Sequence, residues 1–109
     1  MKLHELDGDT ILEELEKRGE AYVRHKADAA TSEFMLKRRY AAVYTAIRSI
    51  DGCSIEDAKN RALNDKDYLE AFRDDVQVQL KKDAAQLGLE RVRTAVELWR
   101  SHRADVRKV

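Results

Sequence analysis

Residues 12–50 read LEELEKRGEAYVRHKADAATSEFMLKRRYAAVYTAIRSI, and the spacing of their apolar positions decides the fold. Leu15, Tyr22, Ala29, Leu36, Val43 and Ile50 recur every seven residues. Leu12, Gly19, Lys26, Glu33, Tyr40 and Ile47 form a second series three positions earlier. Two such series make the a/d stripe of a helix that packs lengthwise against other helices. At 1.5 Å per residue, 39 positions of helix span about 58 Å, against a radius of gyration of about 13 Å for a compact domain of this size. The expectation is therefore an elongated, coiled-coil-like chain that packs as an oligomer. Lys26 and Glu33 fall in the middle of the second series, where polar residues set register or subunit number. The competing expectation is a helix that breaks near Thr31-Ser32.

Working outward, the rest of the composition agrees. Charged residues make up 39% of the chain, aromatics 6%, and there is no proline. This is the balance of an all-α protein rather than of a sandwich or a dinucleotide-binding fold. No apolar run approaches the roughly 18 residues of a membrane span. The N-terminal residues lack the apolar stretch of a secretory signal, and Cys53 is the single cysteine, so no intrachain disulfide forms. A cytoplasmic protein with no membrane association is expected.

The zero net charge is built from blocks. Residues 1–20 carry seven acids and three bases, and residues 21–50 two acids and six bases. Residues 51–75 carry eight acids and four bases, and residues 76–109 four acids and eight bases. Such alternation either creates local fields or solvates each helix and helps its neighbours pair.

Residues 1–9 read as a lead-in to a single domain of 109 residues. Thr10 and Glu13 have capping-box spacing, which starts a long helix over 11–49. Gly52 suits the positive φ of a helix end, and Ser54 the N-cap of a short helix over 55–63. Asp65 caps a second long helix over 66–107. On that helix Leu69, Phe72, Val76 and Leu80 mark one stripe, and Ala85, Val92, Trp99 and Val106 another. The shift between them, near Gly88, predicts a bend or a change of neighbours. The architecture expected is an antiparallel hairpin of two long helices joined by a short one. A direct turn places Ile50 near Lys66 and Tyr22 near Val96, with the two basic blocks side by side. Leu15, Tyr22, Leu36, Val43, Ile47, Val92 and Trp99 are then the candidate oligomer interface, and the expected partner is a second copy of the chain.

No motif for catalysis appears: there is no glycine-rich phosphate loop, nucleophile elbow or His-Glu-x-x-His. His4, His25 and His102 are far apart, with no second ligand at metal spacing. No cofactor, metal or small-molecule substrate is expected. Lys37-Arg38-Arg39-Tyr40, followed by Tyr44 and Arg48, is more specific. Cations neutralise phosphates, and tyrosines stack on unpaired bases, so the six residues form a candidate single-strand DNA site. The alternative is that Tyr40 belongs to the helix seam and the cations face solvent. A second basic set comprises Arg91, Arg93, Arg100, Arg103, Arg107 and Lys108, which the helix dipole favours whatever the function.

Lys37-Arg38-Arg39-Tyr40 with Tyr44, Asp65-Lys66-Asp67-Tyr68 and Leu98-Trp99-Arg100 to Arg103 resemble the small phage recombination mediators of the UvsY type, over roughly residues 22–107. The resemblance implies a non-enzymatic accessory of homologous recombination in the host cytoplasm. Such proteins form helical oligomers, bind single-stranded DNA, and contact the single-strand-binding protein and the recombinase. Their DNA-contacting segment maps onto Lys37, Arg38 and Arg39. The expected function is recombinase loading on single strands. The alternative is a helical protein–protein interaction module that acts as an adaptor, assembly factor or inhibitor.

Overall fold

The computed structural model describes residues 8–108, with side chains to Asp105. It is all-α: helix α1 covers Gly8–Asp51, α2 covers Ile55–Leu63 and α3 covers Lys66–Lys108. Helix α1 crosses Thr31-Ser32 without a break. It begins at Gly8, so Thr10 lies inside the first turn rather than at the cap, and the expected start at residue 11 is too late. The extra turn has a tertiary support. A Cβ on Gly8 would lie 3.1 Å from the Trp99 ring, so the glycine backbone lets the indole approach more closely than a side chain there would without the ring shifting. Residues 1–7 of the expected lead-in lie outside the described residues.

The connections follow capping chemistry. Gly52 takes φ 57°, and its N–H donates to the Arg48 carbonyl at 3.1 Å, closing α1. The Ser54 hydroxyl accepts the Asp57 amide at 3.2 Å. Asp65 Oδ1 accepts the amides of Asp67 at 2.9 Å and Tyr68 at 3.1 Å, starting α3. Arg61, in the last turn of α2, pairs with Asp51 at the end of α1. That bond and the carboxylate charge raise the guanidinium above its ordinary range.

The chain forms two compact units, and both long helices contribute to each. One unit holds the described residues up to His25 together with those from Lys82 onward. Ile11, Leu89 and Val96 are buried in it, and Leu15, Tyr22, Ala85, Val92 and Trp99 are half-buried. The Arg18 side chain, held by Glu14 at 2.8 Å, lies over Gly88. The other unit is Lys26–Lys81. Ala29, Ala58 and Ala62 are its buried residues. Leu36, Tyr40, Val43, Ile47, Tyr68, Ala71 and Val78 are half-buried. A polar bridge ties α1 to α3 here: Ser32 Oγ donates to Asp75 Oδ1 at 2.8 Å, and Gln79 Nε2 donates to the Ala29 carbonyl at 3.1 Å. In each unit the facing pairs run in opposite directions along α1 and α3, so the helices are antiparallel.

Three expectations are corrected by this packing. First, the second seam of α1 starts one residue earlier than expected. Ile11 is 2% exposed and Leu12 56%, while His25 and Ser32 are half-buried and Lys26 and Glu33 exposed. The expected positions hold at Gly19 and again from Tyr40 onward. Two consecutive four-residue steps, Ser32 to Leu36 to Tyr40, produce the change. Such an inserted step relaxes a strict seven-residue repeat toward the natural 3.6-residue turn. The polar residues of the seam are thus His25 and Ser32, and Lys26 and Glu33 are solvated.

Second, the inward face of α3 does not shift at Gly88. Tyr68, Ala71, Asp75, Val78, Lys82, Ala85, Leu89, Val92, Val96 and Trp99 follow one another in steps of three and four, and all are buried or half-buried. The side chain of Val106, assigned to the same series, lies outside the described ones. Leu69, Phe72, Val76 and Leu80 belong to a different face and are exposed.

Third, α3 begins opposite Tyr40 rather than Ile50, because α2 lies alongside the end of α1. Tyr40 and Tyr68 rings meet edge to face at 5.7 Å, and Ile50 is 80% exposed. Every facing pair is displaced accordingly, and Tyr22 shares a groove with Leu89 and Arg93. The two basic blocks run side by side only in part: Gln79 bonds to the Ala29 carbonyl, and Arg24 shares a groove with Arg93. Arg38 and Arg39 share a groove with Asp74, and Glu16 and Glu20 share one with Arg93. Within each unit, acids of one long helix thus lie beside bases of the other at these two grooves.

Candidate functional site

The six residues of the basic-aromatic cluster do not converge. Helix geometry separates them: Tyr40 and Tyr44 are one turn apart on one flank of α1, while Arg38 and Arg39 are turned away by about 100° per residue. Lys37 and Tyr40 line a shallow groove with Leu36, Leu63 and Tyr68. Arg38 and Arg39 line the groove on the opposite flank, with Ser32, Met35, Ala42, Ala71 and Asp74. Arg38 also lies 5.9 Å from the centre of the Phe34 ring. Arg48 Nη1 donates to the Cys53 carbonyl at 2.8 Å and serves the turn after α1. Tyr40 and Tyr44 stack on each other with centroids 6.3 Å apart. Tyr68 and Phe72 continue the aromatic series at 6.4 Å. Each tyrosine thus has a neighbouring ring, and Lys37, Arg38 and Arg39 remain exposed.

The residues named as an oligomer interface are partly buried within the chain itself. Leu15, Tyr22, Val92 and Trp99 are half-buried in the first unit, and Leu36, Val43 and Ile47 in the second. Trp99 is further covered by Arg103, 4.9 Å from the ring.

What is left open is a different surface. On α3, Leu69 is 46% exposed, Phe72 48%, Val76 38% and Leu80 55%. Spaced by three, four and four residues, they form one stripe along the helix. Through Phe72 and Tyr68 it adjoins the groove lined by Lys37, Tyr40 and Leu63. Leu63 is itself 47% exposed. Glu33 and Lys37, an ion pair at 3.4 Å, edge this side of α1. Arg73 edges the far side of the stripe, one turn from both Leu69 and Val76. The sequence shows the stripe but not its exposure, because helical spacing marks an apolar face without saying what covers it. The signal available was the parallel series Tyr68, Ala71, Asp75, Val78, whose seven-residue continuation reaches Val92 and Trp99.

Among the described residues no group of three His, Cys, Asp or Glu side chains is placed to hold a metal ion. No helix among them is long and apolar enough to cross a membrane. No family model, curated protein or solved structure matches the chain. The class is therefore defined by the fold alone: an all-α helical hairpin with an exposed apolar stripe on α3.

Proposed function

We propose that this chain is a non-enzymatic helical interaction module that docks another helix along the exposed face of α3. The single observation that carries the reading is the stripe Leu69, Phe72, Val76 and Leu80, uncovered while the chain's own seam is satisfied beside it. Single exposed apolar residues need no explanation, but four at helical spacing, next to an aromatic groove, match the i, i+3, i+7 anchoring used in helix recognition. The supporting test is a photo-cross-linking residue at position 76, compared with one at position 81, which is turned about 140° away on the same helix. Position 76 is expected to give a cross-linked protein product in living cells and position 81 none. No product from position 76 removes the reading.

A second reading rests on exposed Lys37, Arg38 and Arg39 and on the resemblance to recombination mediators. In it the cations neutralise phosphates of single-stranded DNA, and the chain assists recombinase loading alongside a single-strand-binding protein. Its test is oligonucleotide binding at low and high salt. A wild-type affinity that falls steeply with salt and is lost in the Lys37→Ala/Arg38→Ala/Arg39→Ala variant supports it. Absence of binding at low salt removes it. We place it second because the tyrosines pair with other rings and the cations divide between two flanks.

A further inference from the structure

Building on the docking reading above, we propose that the helix received by α3 belongs to a second copy of this chain. The two Lys26–Lys81 units associate about a two-fold axis parallel to their helices. That operation sets the α1 edge of one copy over the α3 stripe of the other and leaves every neighbouring helix antiparallel, as in an up-and-down four-helix bundle.

Charge complementarity selects this arrangement. The Ser32–Asp75 hydrogen bond places Glu33 and Arg73 at the same height along the hairpin. An axis parallel to the helices preserves height, so Glu33 of one copy meets Arg73 of the other, and symmetry supplies the pair twice. Arg73 has no ion pair among the described residues, and the bond from Lys37 to Glu33 is at the exposed surface. The other face-to-face two-fold, perpendicular to the helices, lays α1 on α1 and α3 on α3. It leaves Arg73 near Val76 and brings Glu33 toward its own copy.

The area is sufficient. Four half-exposed large apolar side chains with Leu63 beside them amount to on the order of 400 Å² per copy, the size of the largest and often functional patch of a typical chain. Two copies hide about 800 Å² of apolar surface. At about 60% apolar, the interface totals about 1,300 Å², within the range of stable dimers.

The test is sedimentation equilibrium of the full chain up to about 300 µM, a concentration that reveals even weak dimers. A dimer is expected, with Val76→Glu monomeric at unchanged helicity by circular dichroism. Glu33→Arg and Arg73→Glu are each expected to weaken dimerisation about threefold to tenfold, and the double exchange to recover it. A dimer indifferent to Val76→Glu, or a double exchange no better than either single change, overturns the arrangement. A wild-type chain that stays monomeric also overturns it. The cross-link from position 76 then separates the two ideas: a product containing a different protein keeps the docking reading, and no product ends both.

Discussion

Ser32 and Asp75 meet across the two long helices, hydroxyl to carboxylate at 2.8 Å, in the seam between them. The same carboxylate oxygen accepts from Gln79 at 3.2 Å, and Gln79 also reaches the Ala29 carbonyl. Three residues thus fix the height at which α1 and α3 meet. Sliding either helix by one turn leaves these partly buried groups without partners, at about 1–3 kcal/mol each.

Ser32→Ala and Asp75→Ala are each expected to lower unfolding free energy by about 1–2 kcal/mol. The double variant should lose less than the sum, since one bond is shared. Urea titration of the four proteins checks this. Strict additivity shows that the bridge is not a coupled unit.

Gly52 and Gly19 predict opposite signs. Gly52 holds φ 57°, so Gly52→Ala is expected to cost about 1–2 kcal/mol, with Gly52→Asn costing less. A Cβ at Gly19 would meet nothing within 4 Å. Gly19→Ala should therefore stabilise α1 by about 0.5–1 kcal/mol. Thermal unfolding of both variants decides, and a shift in the same direction for both contradicts the local account.

Asp65 starts α3 by accepting two backbone amides. Asp65→Ala is expected to cost about 1 kcal/mol, and Asp65→Ser much less. Amide hydrogen exchange should show the loss concentrated at residues 66–69. Uniform loss along α3 argues against a capping role.

The sequence makes the helices legible because their signals are local. Ser54, Asp65 and Gly52 announce their roles by residue type and position, and the range of α2 is read correctly to both ends. The first seam of α1 is legible too, since Leu15, Tyr22, Ala29, Leu36 and Val43 all turn inward. Register is not legible in the same way. It depends on where α2 lies, and nine residues of α2 displace α3 so that it begins opposite Tyr40. The second seam fails for a related reason: Leu12 and Ile11 are equally apolar, and only the packed neighbour decides which is buried. On α3 the large residues Leu69 and Phe72 outweigh Ala71 and Asp75 in any apolar count, yet the smaller pair lies inside. Small and hydrogen-bonded residues allow close helix approach, and that preference is invisible to hydrophobicity alone. The candidate site is therefore legible as a stripe but not as a surface: Leu69, Phe72, Val76 and Leu80 are among the apolar residues left exposed once the true seam is known.

The central claim is that Leu69, Val76 and Leu80 form a surface and not a core. The direct test is the unfolding free energy, at concentrations where the chain is monomeric, of Leu69→Gln/Val76→Gln/Leu80→Gln beside that of Leu89→Ala. Leu89 is 5% exposed, so its truncation should cost about 2–4 kcal/mol. The triple stripe variant should stay within about 1 kcal/mol of wild type. A triple variant that loses more stability than Leu89→Ala places the stripe inside the chain's own core and contradicts the account.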